Sequence, residues 1–120
     1  MSIIGIGVDI ESIDRFELVG LDRLIKRVFT PAETKYCLAQ ARPARHFAAR
    51  FAAKEAVVKA LATVCPKLLI TQVEIYKEEG CPVPLIRLLN GVALPANISL
   101  SVSLSHADPN AIAFVVAEQI

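Results

Sequence analysis

Hydrophobic and polar positions alternate near both ends of the chain and follow a helical spacing in between. From Ser2 to Ile10, Ile4, Ile6, Val8 and Ile10 point one way and Ile3, Gly5, Gly7 and Asp9 the other, which predicts a strand. Ser12 to Arg27 carries apolar residues at helical spacing (Ile13, Phe16, Val19, Leu21, Leu24, Ile25), continued by Val28 and interrupted near Gly20. Thr30-Pro31-Ala32-Glu33 is a helix start: Thr30 caps, Pro31 fits the first helical position, and Glu33 completes a capping box. That helix should end before Pro43. Ala44 to Ala62 lacks Gly and Pro and is predicted to be the longest helix, with Ala48, Ala52, Ala56 and Ala60 in a column that permits close backbone approach. Ile70 to Lys77 and Val83 to Leu89 read as strands, the second placed at an edge by Pro84. Ile98 to Ser105 alternates Ile98, Leu100, Val102 and Leu104 with four serines. A turn at His106–Asn110 and a return strand from Ala111 to Ala117 complete a hairpin. The order predicts an α+β fold, with helices packed on a largely antiparallel sheet.

With 120 residues and 54% hydrophobic content, the chain suffices for one core and one domain spanning 1–120. No apolar run reaches the length of a membrane span, and the first residues lack the marks of a secretory signal. Cys37, Cys65 and Cys81 are odd in number and widely spaced, supporting neither a disulfide framework nor a thiolate zinc site. A cytoplasmic protein without a membrane partner is expected. The net charge of +1 hides a partition: +6 over residues 15–59, −3 over 1–14 and −2 over 60–120. A basic middle attracts phosphate-rich molecules or acidic proteins. With no Trp, 6% aromatics and no aromatic–basic interleaving, a nucleic-acid partner is not expected.

Asp9 shares its strand face with Gly5 and Gly7, whose missing side chains leave room for a backbone or a ligand beside a carboxylate; an ordinary strand-end Asp is the plainer alternative. Arg50 and Lys54, and Glu55 and Lys59, are four residues apart on the long helix. Helix-face pairing explains Glu55–Lys59, but like charges at this spacing repel unless an anion or acid lies between them. A carboxylate among three cations suits a divalent metal with a polyphosphate. Ser103, Ser105 and His106 line one polar strip, although a regular strand turns Ser105 and His106 to opposite faces. His46 and the cysteines have no supporting spacing and are expected to be structural.

Three segments in order, Gly5-Ile6-Gly7-Val8-Asp9-Ile10-Glu11, Arg50-Phe51-Ala52-Ala53-Lys54-Glu55-Ala56-Val57-Val58-Lys59-Ala60 and Val102-Ser103-Leu104-Ser105-His106, give the chain a specific likeness. It resembles the small holo-acyl-carrier-protein synthase family of 4′-phosphopantetheinyl transferases, from about Ile4 to the last strand. The resemblance implies transfer of phosphopantetheine from coenzyme A to a serine of apo acyl carrier protein, with adenosine 3′,5′-bisphosphate released. It implies Mg²⁺ held by Asp9 and Glu55, Lys59 on a phosphate, and His106 with Ser105 near the diphosphate. Glu55, Lys59 and His106 form the implied catalytic set, with Arg50 and Lys54 approaching coenzyme A phosphates. The proton acceptor is Glu55 or a water oriented by Glu55 or His106; the water ranks first, because a carboxylate committed to a cation is a weak base.

Arg15 falls where the family docks acidic carrier protein, and Arg23, Lys26 and Arg27 extend that surface. The family is generally a homotrimer with coenzyme A sites shared between neighbours. Two features depart from it. Relatives follow the long helix with a glycine-containing turn, where this chain has Leu61-Ala62-Thr63-Val64-Cys65-Pro66, and Cys81 replaces a common basic residue. The first departure slightly favours a noncatalytic coenzyme A-binding protein as the alternative.

Overall fold

The computed structural model describes residues 1–17 and 21–120. Strand β1 (Ser2–Ser12) is followed by a 3-10 turn (Asp14–Phe16) and helices α1 (Leu21–Val28), α2 (Pro31–Leu38) and α3 (Pro43–Ala60). A second 3-10 turn (Ile70–Gln72) precedes β2 (Val73–Tyr76), β3 (Leu85–Leu88), β4 (Ile98–Ala107) and β5 (Asn110–Gln119). One sheet has the order β1-β5-β4 and the other pairs β2 with β3; all pairings are antiparallel. The α+β class is as the sequence indicates.

Strand β1 inverts the usual rule that the strongly apolar face of a strand lies inward, whereas β4 obeys it. Gly5, Gly7 and Asp9 face α3, whereas Ile6, Val8 and Ile10 are 49–60% exposed. The reason is the approach of α3. A Cβ on Gly5 would lie 1.8 Å from the Ala60 carbonyl oxygen, and one on Gly7 1.9 Å from that of Ala56. Ala52, Ala56 and Ala60 meet Ala113, Val115 and Ala117 of β5 in the same core. The glycine face and alanine column therefore serve helix–sheet packing within the chain. A register shift between Ile3 and Gly5 returns Ile4 to the core edge.

A second cluster seats the shorter helices on the first half of α3. Phe16 packs on Phe51 with ring centroids 5.6 Å apart, and Phe29 meets Phe47 edge-on at 5.0 Å. Each such buried ring contributes about 1.5–3 kcal/mol. The capping box is present: Thr30 Oγ1 accepts from Glu33 N at 3.2 Å, and Glu33 Oε1 from Thr30 N at 2.8 Å.

Several boundaries differ from the sequence reading. The single helix expected from Ser12 is replaced by the end of β1, a 3-10 turn and α1, because Ser12 still pairs with Asn110 and Ile13 N donates to Pro109 O. The interruption near Gly20 lies outside the described residues. The expected turn at His106 begins later, at Asp108, since His106 and Ala107 remain paired with Ala111 and Asn110.

Candidate active site

Helix α3 crosses the inner face of the main sheet and divides it into two flanks of opposite character. Its residues lie 100° apart, so Glu55 and Lys59 emerge on one side of the sheet-facing alanines and His46 and Arg50 on the other, with Arg45 in line with the alanines near the start of the helix. Side chains on a helix lean toward its N-terminus, which carries Lys59 and Glu55 back along β1 from the Gly7–Ala56 contact toward Asp9.

On the β1 flank, Lys59 Nζ lies 2.9 Å from Val8 O and 3.4 Å from Asp9 Oδ1. Asp9 Oδ2 is buried and has no hydrogen-bond partner. Glu55 stands one turn before Lys59 and enters no ion pair among the described residues. Glu11 shares the Asp9 face, two residues on. Burial, followed by the adjacent Asp9 carboxylate, pushes its pKa up to about 7, while Arg15, 2.9 Å away, opposes the rise. An orphaned carboxylate oxygen beside a carboxyl reluctant to ionise marks an excess of negative potential. These donors are hard oxygens of the type Mg²⁺ takes. Among the described residues, however, no three acidic, histidine or cysteine side chains converge to hold a metal ion unaided, so a cation here would also draw on phosphate oxygens and waters. Sequence reasoning left Glu11 without a role, although the D-x-E spacing that places both acids on one strand face was visible.

On the β4 flank, Tyr36, Arg45, His46, Arg50, Lys77 and His106 line a cavity of about 190 Å³, bordered also by Ser105. Arg50 lies over the Tyr36 ring, 4.1 Å from its centroid, and Tyr36 meets His46 edge-on. The Nε groups of Arg45 and Arg50 are buried and unpartnered. Burial, then Arg50, Arg45 and His106, lower the pKa of His46. Buried N–H groups without acceptors at the wall of a cationic cavity suit a phosphorylated ligand. His46 thus belongs to the site rather than to the structural background. Arg45 and Lys77 were missed because they reach the cavity from different elements. Lys77 also supplies positive charge near the turn where Cys81 stands. His106 continues a regular strand, so its side chain and that of Ser105 take opposite faces.

Lys54 is a correction. Expected to approach the phosphates, it is fully buried, with Nζ 2.7 Å from Glu33 Oε1 and bonded to the Val73 carbonyl, and is not presented to a ligand. Among the proposed docking residues, Arg15 lies 5.1 Å from the Phe51 ring centroid, and Arg23, Lys26 and Arg27 are exposed together on α1. The glycine-free turn after α3 needs no left-handed residue. Leu61 caps the helix at φ −99°, and Cys65 N donates to Leu61 O at 2.7 Å. Among the described residues Asn90 alone, apart from glycines, has positive φ. The departure that favoured a noncatalytic protein therefore introduces no strain.

A family model described as the 4′-phosphopantetheinyl transferase superfamily matches residues 5–113. The chain is 41% identical over 117 residues to a holo-[acyl-carrier-protein] synthase of Moorella thermoacetica, covering 93% of this chain and 91% of that protein. It is 39% identical to one of Geobacter sulfurreducens, with 98% of each covered. The structure of Helicobacter pylori holo-[acyl-carrier-protein] synthase in complex with coenzyme A superimposes with a TM-score of 0.74 at 34% identity, covering 94% of this chain and 99% of that one. Matched along nearly its whole length, the chain belongs to the holo-[acyl-carrier-protein] synthase family of the 4′-phosphopantetheinyl transferase superfamily.

Proposed function

We propose that the chain transfers 4′-phosphopantetheine from coenzyme A to a serine hydroxyl of apo acyl carrier protein, with Mg²⁺ and with release of adenosine 3′,5′-bisphosphate. The observation that carries this reading is the division of labour across α3: an anion-binding cavity on one flank and a cation-binding acid group on the other. Arg45, Arg50, Lys77 and His106 bind the nucleotide phosphates, and Asp9 and Glu55 hold the metal. When bound, Mg²⁺ neutralises charge on the diphosphate. Lys59 adds positive charge where the leaving phosphate develops its own, and the serine proton passes to water oriented by Glu55. Alignment and charge neutralisation supply most of the acceleration, since phosphoryl transfer leaves the protein little covalent work.

The same division requires a second copy. His106 and Glu11 fall in one cross-strand row with Ala111 between them, two strand spacings or about 10 Å apart, and α3 lies over that gap. One diphosphate cannot engage both flanks of one protomer through the helix. The outer sheet face supports assembly: Ile6, Val8, Ile10, Ile112 and Phe114 form a continuous uncovered apolar surface of the kind that marks a subunit contact. A homotrimer that joins the β1 flank of one copy to the β4 flank of the next completes each site. Arg15, Arg23, Lys26 and Arg27 then receive the acidic carrier.

Intact mass spectrometry of a competent apo carrier protein, incubated with this protein, coenzyme A and Mg²⁺, tests the reading. A gain of one phosphopantetheine is expected; an unchanged carrier mass contradicts it.

A further inference from the structure

Lys54 belongs to neither flank, yet its side chain, like that of Glu33, is fully buried. It emerges from α3 nearly opposite Ala56, toward α2 and the β2–β3 pair. Its ammonium lies 2.7 Å from Glu33 Oε1, donates to Val73 O, and sits 5.6 Å from the Phe29 ring centroid. Glu33 is equally engaged. Its Oε1 also accepts from Thr30 N, and its Oε2 accepts from Ile75 N at 2.8 Å. Thr30 Oγ1 donates to Glu74 Oε2 at 2.6 Å, and Glu74 accepts from Arg87 of β3 at 3.1 Å. One polar chain thus joins the middle of α3 to the start of α2 and to both strands of the smaller sheet. Burial lowers the Lys54 pKa, and the nearby Glu33 and Glu74 carboxylates oppose that loss.

Stability alone does not explain this arrangement, because a buried ion pair is often replaceable by apolar groups of similar volume. The ion pair adds a directional constraint on the side of α3 opposite the close glycine–alanine contact. Turning α3 by a single residue would swing Lys54 through 100° and strand Glu33 without its partner. Glu55 is the next residue along the helix, and Arg50 lies one turn before Lys54.

We propose that Lys54 is a positioning residue: held by Glu33 and the Val73 carbonyl, it sets the rotation of α3 so that Glu55 faces the Asp9 edge while Arg50 faces the cationic cavity. Its kinetic consequence rests on the phosphopantetheinyl-transfer reading; its metal-binding consequence rests only on the Asp9–Glu55 site.

The test compares the full-length assembled protein with Glu33→Gln and with the double variant Lys54→Met/Glu33→Gln, by thermal unfolding, steady-state kinetics and Mn²⁺ binding followed by electron paramagnetic resonance. The double variant contains no unpaired buried charge and is expected to unfold within a few degrees of the parent. A misaligned Glu55 should still lower kcat by about 10–100-fold and weaken Mn²⁺ binding, and a misaligned Arg50 should raise the KM for coenzyme A severalfold. Should the double variant fail to fold, Glu33→Gln carries the test: losing the carboxylate charge loosens the hold on Lys54 without abolishing it, so a smaller reduction in kcat and in Mn²⁺ binding is expected there. Parental kcat and Mn²⁺ affinity in either folded variant would overturn the proposal. A parent that binds Mn²⁺ without modifying any carrier would instead overturn the transfer reading, and Mn²⁺ affinity in the variants would still decide the role of Lys54.

Discussion

The two flanks of α3 are built on opposite principles. The β1 flank gathers Asp9, Glu11 and Glu55 from one strand and one helix and leaves a carboxylate oxygen without a partner. The β4 flank draws cations from α3 and the segment after β2, with His106 of β4 beside them, and leaves guanidinium N–H groups without acceptors. Each flank lacks what the other offers, and the helix between them prevents self-satisfaction. Charge complementarity is divided between the two edges of one sheet, and on the proposed reading a complete site arises where two copies meet.

The largest effect should come from the acidic side. Asp9→Ala removes a cation ligand worth several kcal/mol in the transition state, and the rate of transfer should fall by about 10³-fold. Coenzyme A affinity, measured by calorimetry without metal, should change little, because the opposite flank is intact; a large loss there would break the distinction. Arg50→Met should show the reverse pattern. The thioether keeps the packing on Tyr36, while lost charge-assisted hydrogen bonds raise the KM for coenzyme A by about 10–100-fold. An unchanged KM would remove Arg50 from the cavity's function.

The wall between the flanks is open to a stability test. Gly7→Ala would drive a methyl group into the Ala56 carbonyl, so α3 must lift from β1. A loss of about 1–3 kcal/mol in denaturant unfolding is expected. A variant as stable as the parent would show that the close approach is not required.

The smallest effect concerns pH. Without metal, Glu11 titrates near 7 in the folded chain, against 4.5 for an unperturbed carboxyl, so the folded state binds the extra proton between those values. Stability from this group is present below about 4.5 and lost as pH rises to about 7. A bound cation favours the ionised form, so the rise in melting temperature on adding Mg²⁺ should grow over that interval. A pH-independent rise would detach Glu11 from the metal site.

What the sequence disclosed was mostly local. The Thr30–Glu33 capping box and the alternation of β4 are short-range patterns, and both are present in the structure. The face of β1 was harder to assign, because large apolar side chains normally turn inward. Here the helix approaches so closely that only glycine fits beneath it. Lys54 misled for a related reason: its partner lies 21 positions earlier, on a residue already accounted for as a helix cap. Arg45, His46 and Lys77 converge only through tertiary packing, which no spacing rule reports. The row of Ile6, Val8 and Ile10 was legible in the sequence as one face of a strand, and its exposure became visible only in the fold.

The proposed function requires each active site to be assembled from the β1 flank of one copy and the β4 flank of another. Co-expression of Asp9→Ala with Arg50→Met, each nearly inactive alone at limiting coenzyme A, tests it directly. In randomly mixed trimers about one site in four receives an intact acidic flank and an intact cationic flank. Transfer should therefore return to about a quarter of the parental rate, whereas activity no greater than the mean of the two variants would contradict a shared site.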